Sequence, residues 1–484
     1  MVDLFLGDWD RHRDQWRWAI HSEDTPRRWL PIPRDRDQAF SKFDGAATAI
    51  VRTHMPQFVR FDEEYPSPVA LHWNAREVDR WFLSGLDRAE WDAIGAELVT
   101  RLSDEVIAEA TRRLPPEVYA LDGGELESTL RARRDGLPGA WRSLYALLAR
   151  EVDIQGTRAD EVVLVDRGDP GAVTVTISTR GQDGRETFRR RFLAAETAEI
   201  RLYLDRGDDD VSVRGDAETG ITVRVMGGRG DDRFRVESSA DGLRLYDDRG
   251  DNTVFGDDAP SIDERAWEEW EWTEEDRGQP RDWGHRYLPL FWSGYSAAVG
   301  PVIGGGIRRD TYAFRKSPNS STVNVRLGYA PVLGKGRGNI DARFNLENSS
   351  TFWAFGGDVS RLEVTHFYGL GNATGSAGRE FHEVDQTGLR GWVGLGASFD
   401  ERVTVSARAF LERVSTQENA DRFIQTLGPI YGDGAFVQSG ATASVLVDPW
   451  RDDVAGNRLR LRVEGTVYPS LLDVTSVTAD LGAQ

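Results

Sequence analysis

The chain contains no cysteine, and lysine occurs only as Lys42, Lys316 and Lys335. The missing thiol excludes a disulfide scaffold, a thiolate zinc site and a cysteine nucleophile. It leaves the compartment open, because exported proteins can also lack cysteine. There is no apolar run of about 18 residues, so no helix is expected to span a bilayer. The opening MVDLFLGDWDRHRDQW has neither the basic n-region nor the apolar h-region of a signal peptide. Histidines are few (His12, His21, His54, His72, His285, His366, His382), and none forms a metal-spaced pair. No nucleophile elbow or phosphate-binding Walker loop occurs.

What is present is acidic and arginine-rich. Against 80 acidic side chains stand 60 basic ones, leaving a formal charge of −20. Such a surface repels phosphate backbones, so no nucleic acid is expected as a partner. With 50 glycines and 39% apolar residues, the composition fits neither a coiled coil nor a helical membrane protein. A length of 484 residues predicts several domains.

Composition divides the chain into four segments. Residues 1–150 are rich in tryptophan, arginine and helix formers. From Ser84 to Arg113, Leu86, Trp91, Ile94, Leu98, Leu102, Val106 and Ile107 recur at helical steps, and Ser103 can N-cap a new helix that Pro115-Pro116 ends. Further helices are expected over 125–134 and 139–151. Residues 151–260 carry a recurring Arg-Gly-Asp turn: VDRGDPGAV (165–173), LDRGDDDVSV (204–213), GGRGDDRFRV (227–236) and DDRGDNTVF (247–255). Turns at this spacing predict a small β domain, either stacked β coils or an irregular fold. Residues 261–284 are acidic, include Trp267, Trp270, Trp272 and Trp283, show no strand pattern and read as a linker.

Residues 285–484 alternate with a period of two. In Asn457–Tyr468, Leu459, Leu461, Val463, Gly465 and Val467 oppose Arg458, Arg460, Arg462, Glu464 and Thr466. Thr322–Tyr329, Arg402–Leu411 and Ala441–Val447 repeat the pattern. Strands are expected near 303, 326, 342, 360, 393, 408, 441 and 463, with another starting at about 475. The segments are about ten residues long, as a tilted membrane strand requires. A soluble antiparallel sandwich shows the same alternation, so periodicity leaves both readings open.

THFYGLGNAT (365–374) bears on this choice. Phe367, Tyr368, Gly369, Gly371 and Asn372 resemble the Phe-Tyr-Gly-hydrophobic-Gly-Asn segment of the bacterial surface-antigen family, the BamA/TamA-like outer-membrane barrels. DPWRDDVAGNRLRLRVEG (448–465) resembles that family's Asp-x-Arg-Asp…Gly turn and following strand, without the prolines usual before the glycine. The resemblance implies a mostly β, multi-domain chain whose last 200 or so residues are the N-terminal half of a transmembrane barrel. It implies about twice as many strands in a complete barrel, and hence that this chain is a fragment. The implied location is the outer membrane, with the N-terminal modules in the periplasm. The lipid bilayer is then one partner and a protein passenger another, in outer-membrane assembly, secretion or surface presentation.

Two further motifs suggest other activities. Phosphoryl transfer needs a carboxylate to orient the acceptor hydroxyl, followed by metal-side ligands. GDWDRHRDQWRW (7–18) and WLPIPRDRDQAF (29–40) have that order and resemble the catalytic and metal-binding loops of CotH-type atypical kinases. By that resemblance Asp10 is the catalytic carboxylate, Gln15 (where asparagine is usual) and Asp35 are metal ligands, and Asp37 supports them. The cofactors implied for a parent protein are Mg²⁺ or Mn²⁺ with ATP. This makes a barrel-anchored phosphotransferase the alternative function, although the Gly-rich loop and phosphate-binding lysine are not in this sequence. An N-capping turn with a solvated cluster of Asp8, Asp10 and His12 is the plainer reading. GGRGDDRFR (227–235) matches the nonapeptide of calcium-binding β-rolls, which implies Asp231 and Asp232 as Ca²⁺ ligands and a calcium-dependent adhesin as a third function. A plain Asp-Gly turn serves the same residues.

Overall fold

The structure is a computed structural model and describes residues 1–20, 29–52, 55–181, 184–267, 282–369, 377–399, 402–428, 430, 433–447, 459–468 and 473–483. It is mostly β and divides into two compact units, Met1–Trp267 and Glu268–Gln484.

The first unit has a helical part and a β part. Its long helix runs Gly124–Arg150 without interruption, with Pro138 inside it. The break expected between residues 134 and 139 does not occur. Leu130, Arg133, Leu137, Trp141 and Leu144 are buried at three- and four-residue steps, and that continuous buried face carries the helix past the proline. The helical stretch after Ser84 holds two helices, the second starting at Ser103 as its N-cap position leads one to expect. Arg88–Arg101 begins with a capping box between Asp87 and Glu90, and Asp104–Thr111 is capped by Ser103. Near the N-terminus, Trp16–Ile20 pairs antiparallel with Trp29–Pro33, a hairpin that periodicity did not reveal.

Beyond residue 150 the chain winds as stacked coils. One sheet holds the parallel strands Glu151–Gln155, Glu199–Tyr203, Thr222–Met226, Leu243–Tyr246 and Ile262–Asp263. The other holds Glu161–Asp166, Asp210–Arg214, Arg233–Glu237 and Thr253–Phe255, also parallel, with the antiparallel strands Ala172–Thr179 and Glu186–Leu193 added at one edge. Successive coils give one strand to each sheet. Valine, isoleucine and leucine at alternate positions fill the space between them, among them Val163, Val165, Leu202, Val213, Val225 and Leu243. The strand Ile262–Asp263 belongs to this stack, so the segment read as a strandless linker begins with a strand. The helical and β parts are joined by polar contacts: Arg80–Asp153 at 2.7 Å, and Tyr145 donating to Glu196 at 2.7 Å.

The second unit is one ten-stranded antiparallel sheet in chain order: His285–Ser296, Gly300–Thr311, Ser321–Ala330, Lys335–Asn345, Thr351–His366, Glu383–Phe399, Val403–Thr416, Ala435–Val447, Leu459–Tyr468 and Asp473–Ala483. Among the described residues it is open, its first and last strands each having one neighbour. His285–Ser296 was not expected as a strand.

Candidate functional site

The sheet has two chemically opposite faces. On one, aliphatic and aromatic side chains form cross-strand rows that are exposed, such as Ile307–Val325–Ile340, Phe344–Trp353–Leu395 and Val405–Val445–Val463. Phe291 is 85% exposed, Leu327 66% and Val437 62%. The other face is polar and sheltered. Asp310 is 1% exposed and accepts from Arg308 at 2.8 Å, Arg286 at 3.2 Å and Thr322 at 2.8 Å. Asn324 donates to Asp341 at 2.7 Å; Arg390 donates to Glu412 at 3.0 Å, and Gln438 to the same carboxylate at 2.8 Å.

Large rings on the polar face lie over glycine and under arginine. A Cβ on Gly304 would fall 2.0 Å from the Trp292 ring, and one on Gly328 would fall 2.6 Å from it, so only glycine lets the indole lie across those strands. The Arg337 guanidinium covers the same ring at 4.5 Å, and Arg408 covers Trp392 at 5.1 Å. A cavity of about 960 Å³ opens on this face. It is lined from strands as far apart as His285–Ser296 and Ala435–Val447, including Arg308, Arg326, Arg390, Glu363, Glu412 and Gln438. The sheet is therefore curled, with its charged face inside.

The Phe-Tyr-Gly segment leaves the end of strand Thr351–His366. Phe367 stacks on Phe423 with ring centres 5.9 Å apart, and Tyr368 meets His382 at 4.6 Å. The Phe367 N–H donates to the His382 carbonyl at 2.8 Å. Gly369 takes a φ of 96°, a left-handed value that suits glycine. These contacts tie the loop to the turn Arg379–His382 and the short helix Phe423–Thr426. Gly371, Asn372 and the 448–458 turn lie outside the described residues.

Of the kinase-like residues, Asp10 accepts from Asn74 at 2.9 Å and has His12 at 3.9 Å. Gln15 closes a single 3-10 turn, where its carbonyl accepts from the Arg34 N–H at 2.8 Å. Asp35 (φ 48°) and Asp37 are exposed. Among the described residues, no group of three or more histidine or acidic side chains is placed to hold a metal. The region's buried centre is a different set of residues. Arg11 grips Asp79 through both nitrogens, at 3.2 and 2.9 Å, and His72 meets the same carboxylate at 3.0 Å. Asp8 is buried and accepts from Arg36 at 3.0 Å. Burial pushes the Asp8 carboxyl above its usual range, against the pull of the Asp10 N–H and the Arg11 charge. Arg11, 68 residues from Asp79, meets it and His72 only through the fold.

Three of the Arg-Gly-Asp turns, those of Asp208, Asp231 and Asp251, stack along the coils in two ladders that begin at Asp160 and Glu161, whereas the turn at 165–173 lies against Arg214 and Gly215. In the outer one, Asp208, Asp231 and Asp251 each donate a backbone N–H to the side chain of Asp160, Asp208 and Asp231 respectively, at 3.1, 3.0 and 2.9 Å. In the inner one, the N–H groups of Glu161, Asp209 and Asp232 donate to Asp209, Asp232 and Asn252 at 2.7, 2.7 and 2.8 Å. Asp231 is thus exposed and Asp232 buried, on different ladders. The inner carboxyls feel their surroundings strongly. Burial pushes Asp209 up to about 8 and Asp247 up to about 7, and raises Asp232 as well. Asp209 and Asp247 were not singled out from the sequence, although both lie in the repeated turns.

No family model matches the chain, and no curated protein does.

Proposed function

We propose that the second unit is part of an outer-membrane β-barrel of the surface-antigen type, with the first unit as its periplasmic module, acting in outer-membrane assembly, secretion or surface presentation. One observation carries this reading: the ten-stranded sheet is inside out. In water, each large apolar side chain left uncovered forfeits on the order of 1 kcal/mol or more of burial. A face with this many of them is stable only against another apolar phase. Hydrocarbon supplies that phase and has no donors for polar groups, which accounts for charge collected on the concave side. In lipid, the two sheet edges also need partners, which further strands of a barrel would provide.

The mechanism is physical. The outward rows hold the sheet in the bilayer, while the arginine- and carboxylate-lined cavity offers a passenger segment paired charges and polar strand surface. The barrel-anchored phosphotransferase is less well supported, since Asp35 and Asp37 are exposed and Asp10 is engaged by Asn74.

Expression in a Gram-negative host behind an export signal, followed by alkaline carbonate extraction of the membranes, tests the reading. The chain should stay in the pellet and come out only with detergent. Release into the aqueous fraction as a folded monomer would overturn it.

A further inference from the structure

We propose that the turn Arg379–His382 is a pH-sensitive clasp, which holds the Phe-Tyr-Gly loop shut at neutral pH and releases it in acid. Each end of the turn is fastened through a histidine, and each fastening suits an uncharged imidazole. At one end His366 Nε2 lies 3.0 Å from Arg379 Nε. A guanidinium only donates, so Nε2 is the acceptor and that ring is neutral. At the other end His382 Nδ1 lies 3.0 Å from the Phe367 carbonyl oxygen. A carbonyl only accepts, so Nδ1 carries the proton. His382 is 2% exposed and is enclosed by Tyr368, Phe381 and Phe423, with ring centres 4.6, 5.4 and 5.2 Å away. Among the described residues its Nε2 has no hydrogen-bond partner, so a proton added there would be buried without an acceptor.

In acid His366 has a second partner within reach. Glu383 pairs with it across the two strands, and a carboxylate oxygen stands 4.0 Å from Nε2. Histidine changes charge between pH 5 and 8. Once protonated, Nε2 no longer accepts from Arg379; it donates to Glu383, and the ring and the guanidinium repel as like charges. The same carboxylate now anchors Arg422 at 3.3 Å, and Arg422 also donates to the Glu380 carbonyl inside the turn. A charged His366 therefore competes for the group that ties the turn to the short helix Phe423–Thr426. The other ionisable groups on the packed elements are Tyr368, whose ring meets both histidines, Asp385, paired with Lys335 at 3.6 Å, and Asp433, which accepts from Gln425 at 2.6 Å. The clasp joins the end of strand Thr351–His366 to the start of strand Glu383–Phe399 and does not depend on the membrane reading.

The test is hydrogen exchange of the full chain in detergent, read by mass spectrometry and corrected for the intrinsic pH dependence of exchange. The reporter is the Phe367 amide, which donates to the His382 carbonyl at 2.8 Å. Detergent covers the apolar face of the sheet, so the result does not turn on whether the chain enters a membrane. Between pH 7 and 5 the protection of Phe367 should fall about ten-fold or more, while strand Val403–Thr416 stays protected. His366→Gln places an amide oxygen where Nε2 accepts, and His382→Asn an amide N–H where Nδ1 donates. The double variant should stay protected through the same range. Glu383→Gln weakens the acid-state partner and should move the loss of protection to lower pH. Wild-type protection that is the same at pH 7 and 5, or that falls only together with Val403–Thr416, would overturn the clasp. An equal acid loss in the double variant would do the same, as would an unmoved midpoint in Glu383→Gln. If the double variant is already unprotected at pH 7, Glu383→Gln alone decides.

Discussion

Arg11, His72 and Asp79 show how little of a buried charge cluster is visible before folding. Arg11 stands 68 residues before Asp79 and His72 only 7 before it, yet all three are nearly inaccessible in the structure. Burial pushes the Asp79 carboxyl up, but the Arg11 guanidinium and His72 together outweigh it and hold the group well below the usual carboxylate range. Burial lowers His72 below its ordinary 6.5, against the opposing pull of Asp79. Both groups therefore bind protons more readily unfolded than folded, so their stabilisation is present at neutral pH and is lost as pH falls. The His72 share should fade below about 6.5 and the Asp79 share further into acid. Thermal unfolding followed by helical circular dichroism should show the midpoint dropping from pH 7 to 5, with a shallower slope in His72→Gln. An unchanged slope would mean that His72 does not titrate on unfolding. Removing one partner of the ion pair, as in Asp79→Leu, leaves the buried Arg11 only the Asp3 carboxylate at 3.6 Å and should cost about 3–5 kcal/mol. Arg11→Met combined with Asp79→Leu should cost much less than the two single changes added, as a double-mutant cycle by urea titration would show.

At the level of elements, the sequence was legible wherever one face differed from the other. Strands such as Ser321–Ala330 and Val403–Thr416 lie where alternation put them, because greasy and polar residues take strict turns. His285–Ser296 was missed because Leu288, Leu290 and Trp292 lie on its sheltered side while Tyr287, Phe291 and Tyr295 lie on the exposed one. With apolar residues on both faces, the period-two signal disappears. Its Pro289 sits on an edge strand, where a missing N–H is tolerated. In the coils the recurrent turn was readable, but which aspartates go inward was not. That depends on the register between coils separated by hairpins and loops. Pro138 failed as a helix stop because its local cost, about 3 kcal/mol, is outweighed by the buried face on either side. Pro138→Ala should thus raise stability by roughly 1–3 kcal/mol in urea unfolding. A lower stability would mean that the ring itself is needed for packing.

For the molecule as a whole, the informative contrast is what each unit buries. The large fully buried side chains belong to the first unit, among them Leu71, Leu137, Phe192, Ile200, Phe234 and Leu243. Among the described residues of the second unit an apolar cluster on Val299, Ala330 and Leu362 is small, while Asp310, Asn319 and Asn345 are shielded. One chain therefore combines a part whose apolar side chains are packed inside and a part whose apolar side chains face out. This asymmetry can be read with tryptophan. Trp353 stands on the exposed apolar face at 52% exposure, whereas Trp292 and Trp392 lie on the polar face beneath Arg337 and Arg408. Trp91 and Trp141 are buried in the helical core. In vesicles of brominated lipid, quenching by the acyl chains requires contact with hydrocarbon. Trp353→Phe should remove a large share of the quenchable fluorescence. Trp292→Phe, Trp392→Phe and Trp141→Phe should leave that share nearly unchanged, although each lowers total emission. Quenching that survives in Trp353→Phe and falls in Trp292→Phe would invert the sheet, placing the arginine-bearing face toward lipid and removing the physical basis for a barrel.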